Sequence, residues 1–275
     1  MSTTAELVAA ALAEDLGERG DITSQLTIPA DLRTTAQVVS RVEGVLAGRE
    51  AGQEVLDQCG LHGEWYCADG DRLHPGTVVA SLSGPARAVL SGERTFLNLL
   101  CHLSGIATLT AAYVRAAAPA MVLDTRKTTP GMRHLEKAAV KAGGGTNHRF
   151  GLFDRVLVKD NHLALAGAGL VDAVARARRE LPDVLVEVEA DDLDGVRLAL
   201  EAGADWILLD NMSPAELSAA VALTARRAKL EASGGMSLGG ARAAAACGVD
   251  AVSVGALTHS APTLDLGLDI AVPAR

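Results

Sequence analysis

The chain has 275 residues, enough for one large domain or for a domain of about 150 residues with a smaller companion. With 49% apolar and 21% charged residues it reads as a folded globular protein that builds its core without metals or disulfides. The net charge of −9 repels phosphate backbones, and 2 Trp, 2 Tyr and 3 Phe are too few for a base-stacking surface, so no nucleic-acid partner is expected.

Leu7, Val8, Ala11 and Leu12 fall at helical spacing within residues 4–16, and the segment closes at Gly17. Glu6, Glu14 and Asp15 interrupt any basic-then-apolar run, so no signal peptide is expected. An alternating segment (Ala36, Val38, Val39, Val42), a turn around Gly44, a helix-like run from Arg49 to Cys59 and a further extended piece follow, then turns at Gly70-Asp71 and Pro75-Gly76 and a strand at 77–82. These predict a small α+β domain, joined to the rest by an apolar helical stretch over 86–118. Its uncharged part, Thr95 to Val114, is nominally long enough for a bilayer, but Asn98, His102, Ser104, Thr108 and Thr110 interrupt it. A buried helix and no membrane partner are the expectation. Cys59, Cys67, Cys101 and Cys247 form no Cys-x-x-Cys pair, which fits reduced thiols and a cytoplasmic location.

After Pro119 apolar strand candidates recur at Met121–Asp124, Val156–Lys159, Val184–Glu189, Trp206–Asp210, Lys229–Ser233 and Val252–Gly255. Helical segments over Leu170–Leu181, Leu193–Ala202, Pro214–Arg226 and Leu238–Cys247 lie between them, an alternation that predicts βα units and a parallel sheet. Every strand ends in a polar or glycine residue (Asp124, Lys159, Glu189, Asp210, Ser233, Gly255). Six one-way βα units can form an open doubly wound sheet or a partial barrel. The six polar ends fit better the C-terminal rim of a barrel of fewer than eight strands, which gathers them round one pocket.

Charge concentrates in one place. Residues 126–159 carry eight cations (Arg126, Lys127, Arg133, Lys137, Lys141, Arg149, Arg155, Lys159) against Glu136 and Asp154, a net of +6 that leaves −15 on the remainder. A basic segment in an acidic chain predicts a pocket for a small polyanion. Arg126, Lys127 and Lys159 sit at strand ends and are the ligand candidates, whereas Lys137 and Lys141 read as the solvated face of a helix at 133–142. Gly143-Gly144-Gly145 can bring backbone close to a ligand beside His148 and Arg149, or can simply end that helix. Glu189 and Asp210, ending successive strands, can hold Mg²⁺ or sugar hydroxyls or form a salt bridge to a rim lysine, and Glu187 shares the parity of Glu189. Ser233-Gly234-Gly235 and Gly255 close the last two strands, where barrels often hold a phosphate.

The run from Asp124 to His162, DTRKTTPGMRHLEKAAVKAGGGTNHRFGLFDRVLVKDNH, closely resembles the core of the quinolinate phosphoribosyltransferase family. EDLGERGDITS at 14–24, GERTFLNLLCHLSGIATLT at 92–110, EVE at 187–189, LLDN at 208–211, ASGG at 232–235 and SVGALTHS at 253–260 extend the resemblance over nearly the whole chain. It implies an incomplete α/β barrel of parallel strands at 111–263 and a smaller N-terminal α+β domain at 1–110 completed by the tail 264–275. It further implies a homodimer and a Mg²⁺-dependent reaction of quinolinate with phosphoribosyl pyrophosphate that yields nicotinate mononucleotide, pyrophosphate and CO₂ in NAD biosynthesis. By the same resemblance Arg126, His148, Arg149 and Lys159 grip the quinolinate carboxylates, and Arg94 is supplied across the subunit interface. Lys127 lies near the reacting carboxylate and pyrophosphate, and Glu189 and Asp210 serve ribose hydroxyls and metal. Ser233, Gly234 and Gly255 hold the 5′-phosphate, with His259 beside it. His102, Phe150 and Phe153 depart from the family pattern without removing a charged group. Two other readings are a Schiff-base aldolase barrel using Lys159 and a non-catalytic small-anion sensor.

Overall fold

The computed structural model describes residues 3–167 and 169–271, so positions 272–275 of the expected tail lie outside the described residues. Two compact units emerge: Met1–Ala111 with Thr128–Gly144 and Ser260–Arg275, and Ala112–Lys127 with Gly145–His259. The segment 128–144, which the sequence reading placed within the barrel block, groups with the first unit.

In the first unit α1 (Thr4–Leu16) starts at a reciprocal capping box between Thr3 and Glu6 and turns Val8 and Leu12 inward. The short helix α2 (Ile22–Thr27), not foreseen, is capped by Asp21, whose carboxylate accepts the Ser24 N–H at 2.9 Å. Then come β1 (Arg33–Ser40), β2 (Gly44–Val45), α3 (Arg49–Gln58), β3 (His62–Trp65), β4 (Arg72–Leu73) and β5 (Val78–Pro85). The C-terminal strand β12 (Leu266–Ile270) pairs with β1 in an antiparallel sheet ordered β12–β1–β5–β3.

The 32-residue helix α4 (Ala86–Ala117) is, among the described residues, the one helix long and apolar enough to cross a bilayer. Its apolar side is instead consumed by protein: Phe96, Leu100, Leu103 and Ile106 are buried. The polar residues that interrupt it accept backbone hydrogen bonds, Ser104 from the Ala47 N–H at 3.1 Å and Thr108 from the Val45 N–H at 2.9 Å.

The helix α5 (Arg133–Ala142) corrects one expectation. Lys137 does not belong to a solvated face; it is buried together with Glu136, while Lys141 stays exposed. The reason is crowding: a Cβ on Gly143 would meet the Ala107 carbonyl at 2.4 Å, so the end of α5 is pressed against α4. The glycine run therefore serves to end a helix in close packing, with Gly144 at φ +85° making the turn.

The second unit holds β6 (Met121–Leu123), β7 (Val156–Val158), β8 (Val186–Ala190), β9 (Trp206–Asp210), β10 (Lys229–Ser233) and β11 (Ala251–Ser253) in one sheet ordered β6–β11–β10–β9–β8–β7. Every pairing in it is parallel. The connections are α6 (Asp160–Ala166), α7 (Leu170–Glu180), α8 (Leu193–Ala202), α9 (Pro214–Thr224) and α10 (Leu238–Ala246), with a short α11 (Ala256–His259) after β11. Proline starts α9 behind the Ser213 cap, as its fixed φ allows. No strand among the described residues joins β6 to β7, so the barrel is incomplete. On the free edge of β6, Thr146 makes a single parallel bridge to Leu123.

A Cβ on Gly105 of α4 would lie 2.1 Å from the Pro262 carbonyl oxygen. Gly105→Ala is expected to lower stability by about 1–3 kcal/mol in urea denaturation, since the clash with fixed backbone outweighs alanine's helix preference of about 1 kcal/mol.

Candidate active site

Side chains alternate along a strand, so residues two apart share a face, and in the second unit one face of each strand looks into the barrel. Leu157 sits on β7 and Lys159 follows it, Glu189 sits on β8, Leu208 and Asp210 on β9, Glu231 and Ser233 on β10 and Ser253 on β11. All line a single cavity of about 450 Å³ with Asp124, Thr125, Arg126, Lys127, His148 and Arg149. Register explains the convergence: Ser233 lies opposite Asp210, and Leu208 lies opposite both Glu189 and Glu231.

Eight of the sequence-predicted residues thus meet: Arg126, Lys127, His148, Arg149, Lys159, Glu189, Asp210 and Ser233. Gly255 lies at their margin, where a Cβ would come 3.0 Å from the Lys127 side chain and 3.2 Å from His259 Nε2. Gly234 instead lines a smaller cavity of about 210 Å³ with Asn211 and Met236. Its φ of +100° and the approach of Asn211 Oδ1 to within 2.1 Å of a Cβ position tie the turn after β10 to the turn after β9. Arg94 belongs to the first unit, exposed on α4.

The cations divide by environment. Arg126 keeps a buried Nε without a hydrogen-bond partner, a donor ready for an incoming acceptor. Burial first, and then the charge of Arg126, hold the Arg149 guanidinium below its usual pKa. Lys159 pairs through its ammonium with Glu189, the salt bridge that sequence reading kept open for that carboxylate. Arg155 turns away from the cavity lining: Nη1 donates to Glu187 at 3.2 Å and its guanidinium lies 5.3 Å from the Trp206 ring centre.

Below the cavity, parity separates the two β8 carboxylates by depth. Glu189 reaches the rim, whereas Glu187 is fully buried 2.9 Å from His148 Nε2, with Glu231 Oε2 3.4 Å from the same nitrogen. Glu231 and Ser253 are site residues that the sequence reading missed. The signal existed, since Glu231 precedes Ser233 by two positions, as Glu187 precedes Glu189.

Burial opposes charge on His148, but hydrogen bonds to Glu187 and Glu231 outweigh it and push its pKa up to about 9. Burial, and then the charge of Glu187, raise the Glu231 carboxyl. Both shifts describe one proton held in a cluster that Glu187 and Arg155 otherwise leave neutral. Because the Arg149 N–H donates to His148 Nδ1 at 2.7 Å, the ring keeps its hydrogen on Nε2 and the shared proton rests on Glu231. Asp124, fully buried at the end of β6, accepts the His148 N–H at 2.9 Å and the Asn147 amide at 2.6 Å, fixing the backbone beside that ring.

Family models described as the quinolinate phosphoribosyl transferase N-terminal and C-terminal domains match residues 21–104 and 106–269. The chain belongs to the quinolinate phosphoribosyltransferase family. It is 45% identical to the nicotinate-nucleotide pyrophosphorylase [carboxylating] of Mycobacterium leprae, over 94% of each chain. It is 44% identical to the probable enzyme of that name from Bacillus subtilis, over 94% of this chain and 90% of the relative. The solved nicotinate-nucleotide pyrophosphorylase of Francisella tularensis superimposes with a TM-score of 0.91 at 38% identity, covering 98% of this chain and 96% of that one. The incomplete barrel with a smaller N-terminal domain is therefore the fold of the family as well as of this chain.

The cluster holds its proton to higher pH in the folded protein than the separated groups do when unfolded, where histidine has a pKa of about 6.5. A raised folded value contributes stability that is full below about pH 6.5 and is lost as pH rises beyond it. Urea unfolding should show a decline in stability as pH is raised above about 6.5. Glu231→Gln, which needs no proton, should flatten it.

Proposed function

We propose that this chain transfers the phosphoribosyl group of phosphoribosyl pyrophosphate to quinolinate with loss of CO₂, giving nicotinate mononucleotide and pyrophosphate in NAD biosynthesis. One observation carries the reading: Arg126, Lys127, Arg149 and Lys159 converge on one cavity whose lining also holds Glu189 and Asp210. Two substrates that are both polyanions require such a cationic wall, and ribose hydroxyls suit the carboxylates facing it.

The anomeric C–O bond to pyrophosphate breaks as the pyridine nitrogen bonds to that carbon, through an oxocarbenium-like state. Arg126 and Arg149 orient the planar diacid, and holding two reactants in line lowers a barrier by as much as about 7–11 kcal/mol. Lys127 stabilises charge on the departing pyrophosphate. The ring nitrogen is cationic once the N-glycosyl bond exists. The adjacent carbon can then keep the electron pair of its bond to the carboxylate, which leaves as CO₂, and is protonated afterwards. No covalent cofactor is required. A Schiff base at Lys159 is disfavoured because an ammonium paired with Glu189 has no lone pair to attack a carbonyl.

Mg²⁺ suits the donor set, since Glu189 and Asp210 offer hard carboxylate oxygens on neighbouring strands. Lys159 competes for Glu189, whereas Asp210 engages the Asn211 amide at 2.7 Å through one oxygen. When bound there, the ion would neutralise pyrophosphate charge. Ser233 and Gly255, with His259 beside them, would hold the 5′-phosphate, and Gly234 would act by shaping the turn after β10. A homodimer in which the partner's Arg94 completes the diacid site agrees with the exposure of that residue on α4. The four free cysteines suit a reducing cytoplasm.

Quinolinate plus phosphoribosyl pyrophosphate and Mg²⁺ should release CO₂ and pyrophosphate in equal amounts, with no turnover of nicotinate. Failure with both acids in a folded protein would overturn the assignment. Lys159→Ala and Arg149→Ala should each weaken quinolinate binding on the order of 10- to 100-fold by calorimetry with little change in melting temperature. An unchanged dissociation constant in either would remove that residue from the diacid site.

A further inference from the structure

We propose that Glu187 and Glu231 are positioning residues: through the His148 ring they set the direction in which Arg149 enters the cavity. The inference rests on the reading of that cavity as the diacid site and adds two residues to its machinery.

Both nitrogens of His148 face protein. Nε2 points to Glu187 Oε2 at 2.9 Å and Glu231 Oε2 at 3.4 Å, and Nδ1 accepts the backbone N–H of Arg149 at 2.7 Å. With its side chain only 7% exposed, the ring acts as a strut between the floor of the barrel and the backbone of the next residue. The guanidinium of Arg149, not the imidazole, is then the group free to grip a carboxylate. Asp124 holds the His148 N–H from the other side at 2.9 Å, so two consecutive amides are fixed just before the Arg149 side chain departs.

The floor is costly. Glu187 Oε1 is buried without a hydrogen-bond partner, and Glu231 Oε2 has only the long 3.4 Å approach to Nε2. One carboxylate would satisfy Nε2. The second, on β10 rather than β8, confines the ring from another direction, so that a flip or tilt that releases Arg149 meets an acidic wall on either side. Arg155, held over Trp206 with Nη1 3.2 Å from Glu187 and 3.3 Å from His148 Nε2, braces the same junction from below. Truncating a floor carboxylate should therefore loosen the diacid site while leaving the phosphoribosyl side intact.

The test compares wild type, Glu187→Ala, Glu187→Gln and Glu231→Ala in the full-length protein. Calorimetry gives the quinolinate dissociation constant, steady-state kinetics gives the KM for phosphoribosyl pyrophosphate, and ¹⁵N NMR gives the His148 tautomer without any ligand. The alanine variants should weaken quinolinate about tenfold and change the other KM less than about twofold. Glu187→Gln keeps an acceptor oxygen for Nε2–H and should recover most of the affinity. In wild type His148 should carry hydrogen on Nε2 alone, a signature that both alanine variants blur. Unchanged quinolinate affinity, equal loss for both substrates, or a glutamine variant no better than alanine would overturn the strut. Glu231→Ala strands no cation and keeps the test open if Glu187→Ala fails to fold. A wild type with the expected tautomer but no affinity for quinolinate would instead sink the reading of the site and leave the strut standing.

Discussion

A barrel interior is normally filled with branched apolar side chains, and here its floor holds His148, Glu187, Glu231 and Arg155. Three buried ionisable groups and a partly buried guanidinium can share that interior only if they satisfy one another, because an unpaired charge in that setting costs several kcal/mol. They do so as a neutral cluster sharing one proton, and much of the second unit is arranged around that requirement. The loop from Gly145 to Arg155 spans the side of the barrel where no strand joins β6 to β7. It is fastened at three points: Thr146 bridges β6, His148 inserts over the floor carboxylates, and Arg155 closes on Glu187 from the start of β7. An incomplete barrel keeps its interior covered because this loop is anchored by charge rather than by a strand.

The same anchoring builds the cationic wall of the cavity. Arg149 is one residue beyond the anchored histidine, and Arg126 and Lys127 follow the strand whose end supplies Asp124. Burial first, and then the neighbouring charge of Arg126, disfavour the charged form of Arg149, and an anion placed between the two guanidinium groups would offset both. Interactions of that kind orient a substrate, and they speed the reaction only where they grow stronger as charge moves toward the leaving pyrophosphate.

Glu189 and Asp210 line the same cavity, one held by Lys159 and the other by Asn211. The pairing of Lys159 with Glu189 fixes both groups at the ends of neighbouring strands. The turns after β9 and β10 are interlocked, Gly234 accepting the side chain of Asn211 at a distance no Cβ would permit. The rim is thus closely packed where sugar and phosphate are expected and cationic where the diacid is expected.

The sequence by itself determined the periodic order of strands and helices, the parallel sheet and the concentration of cations between Arg126 and Lys159, because these follow from local patterning and composition. Asp210 and Ser233 were legible as strand ends for the same reason. What only the tertiary structure decided was which of those cations face the cavity. Lys137 is buried in the first unit, Lys141 stays on the surface, and Arg155 is spent on Glu187. Equally, period-two alternation placed Glu187 and Glu189 on one face but could not say which lay deep, since depth depends on the stagger of neighbouring strands. Glu231 went unseen until β10 was set between β9 and β11. Pairing across a barrel is a relation among distant segments, and no local pattern records it.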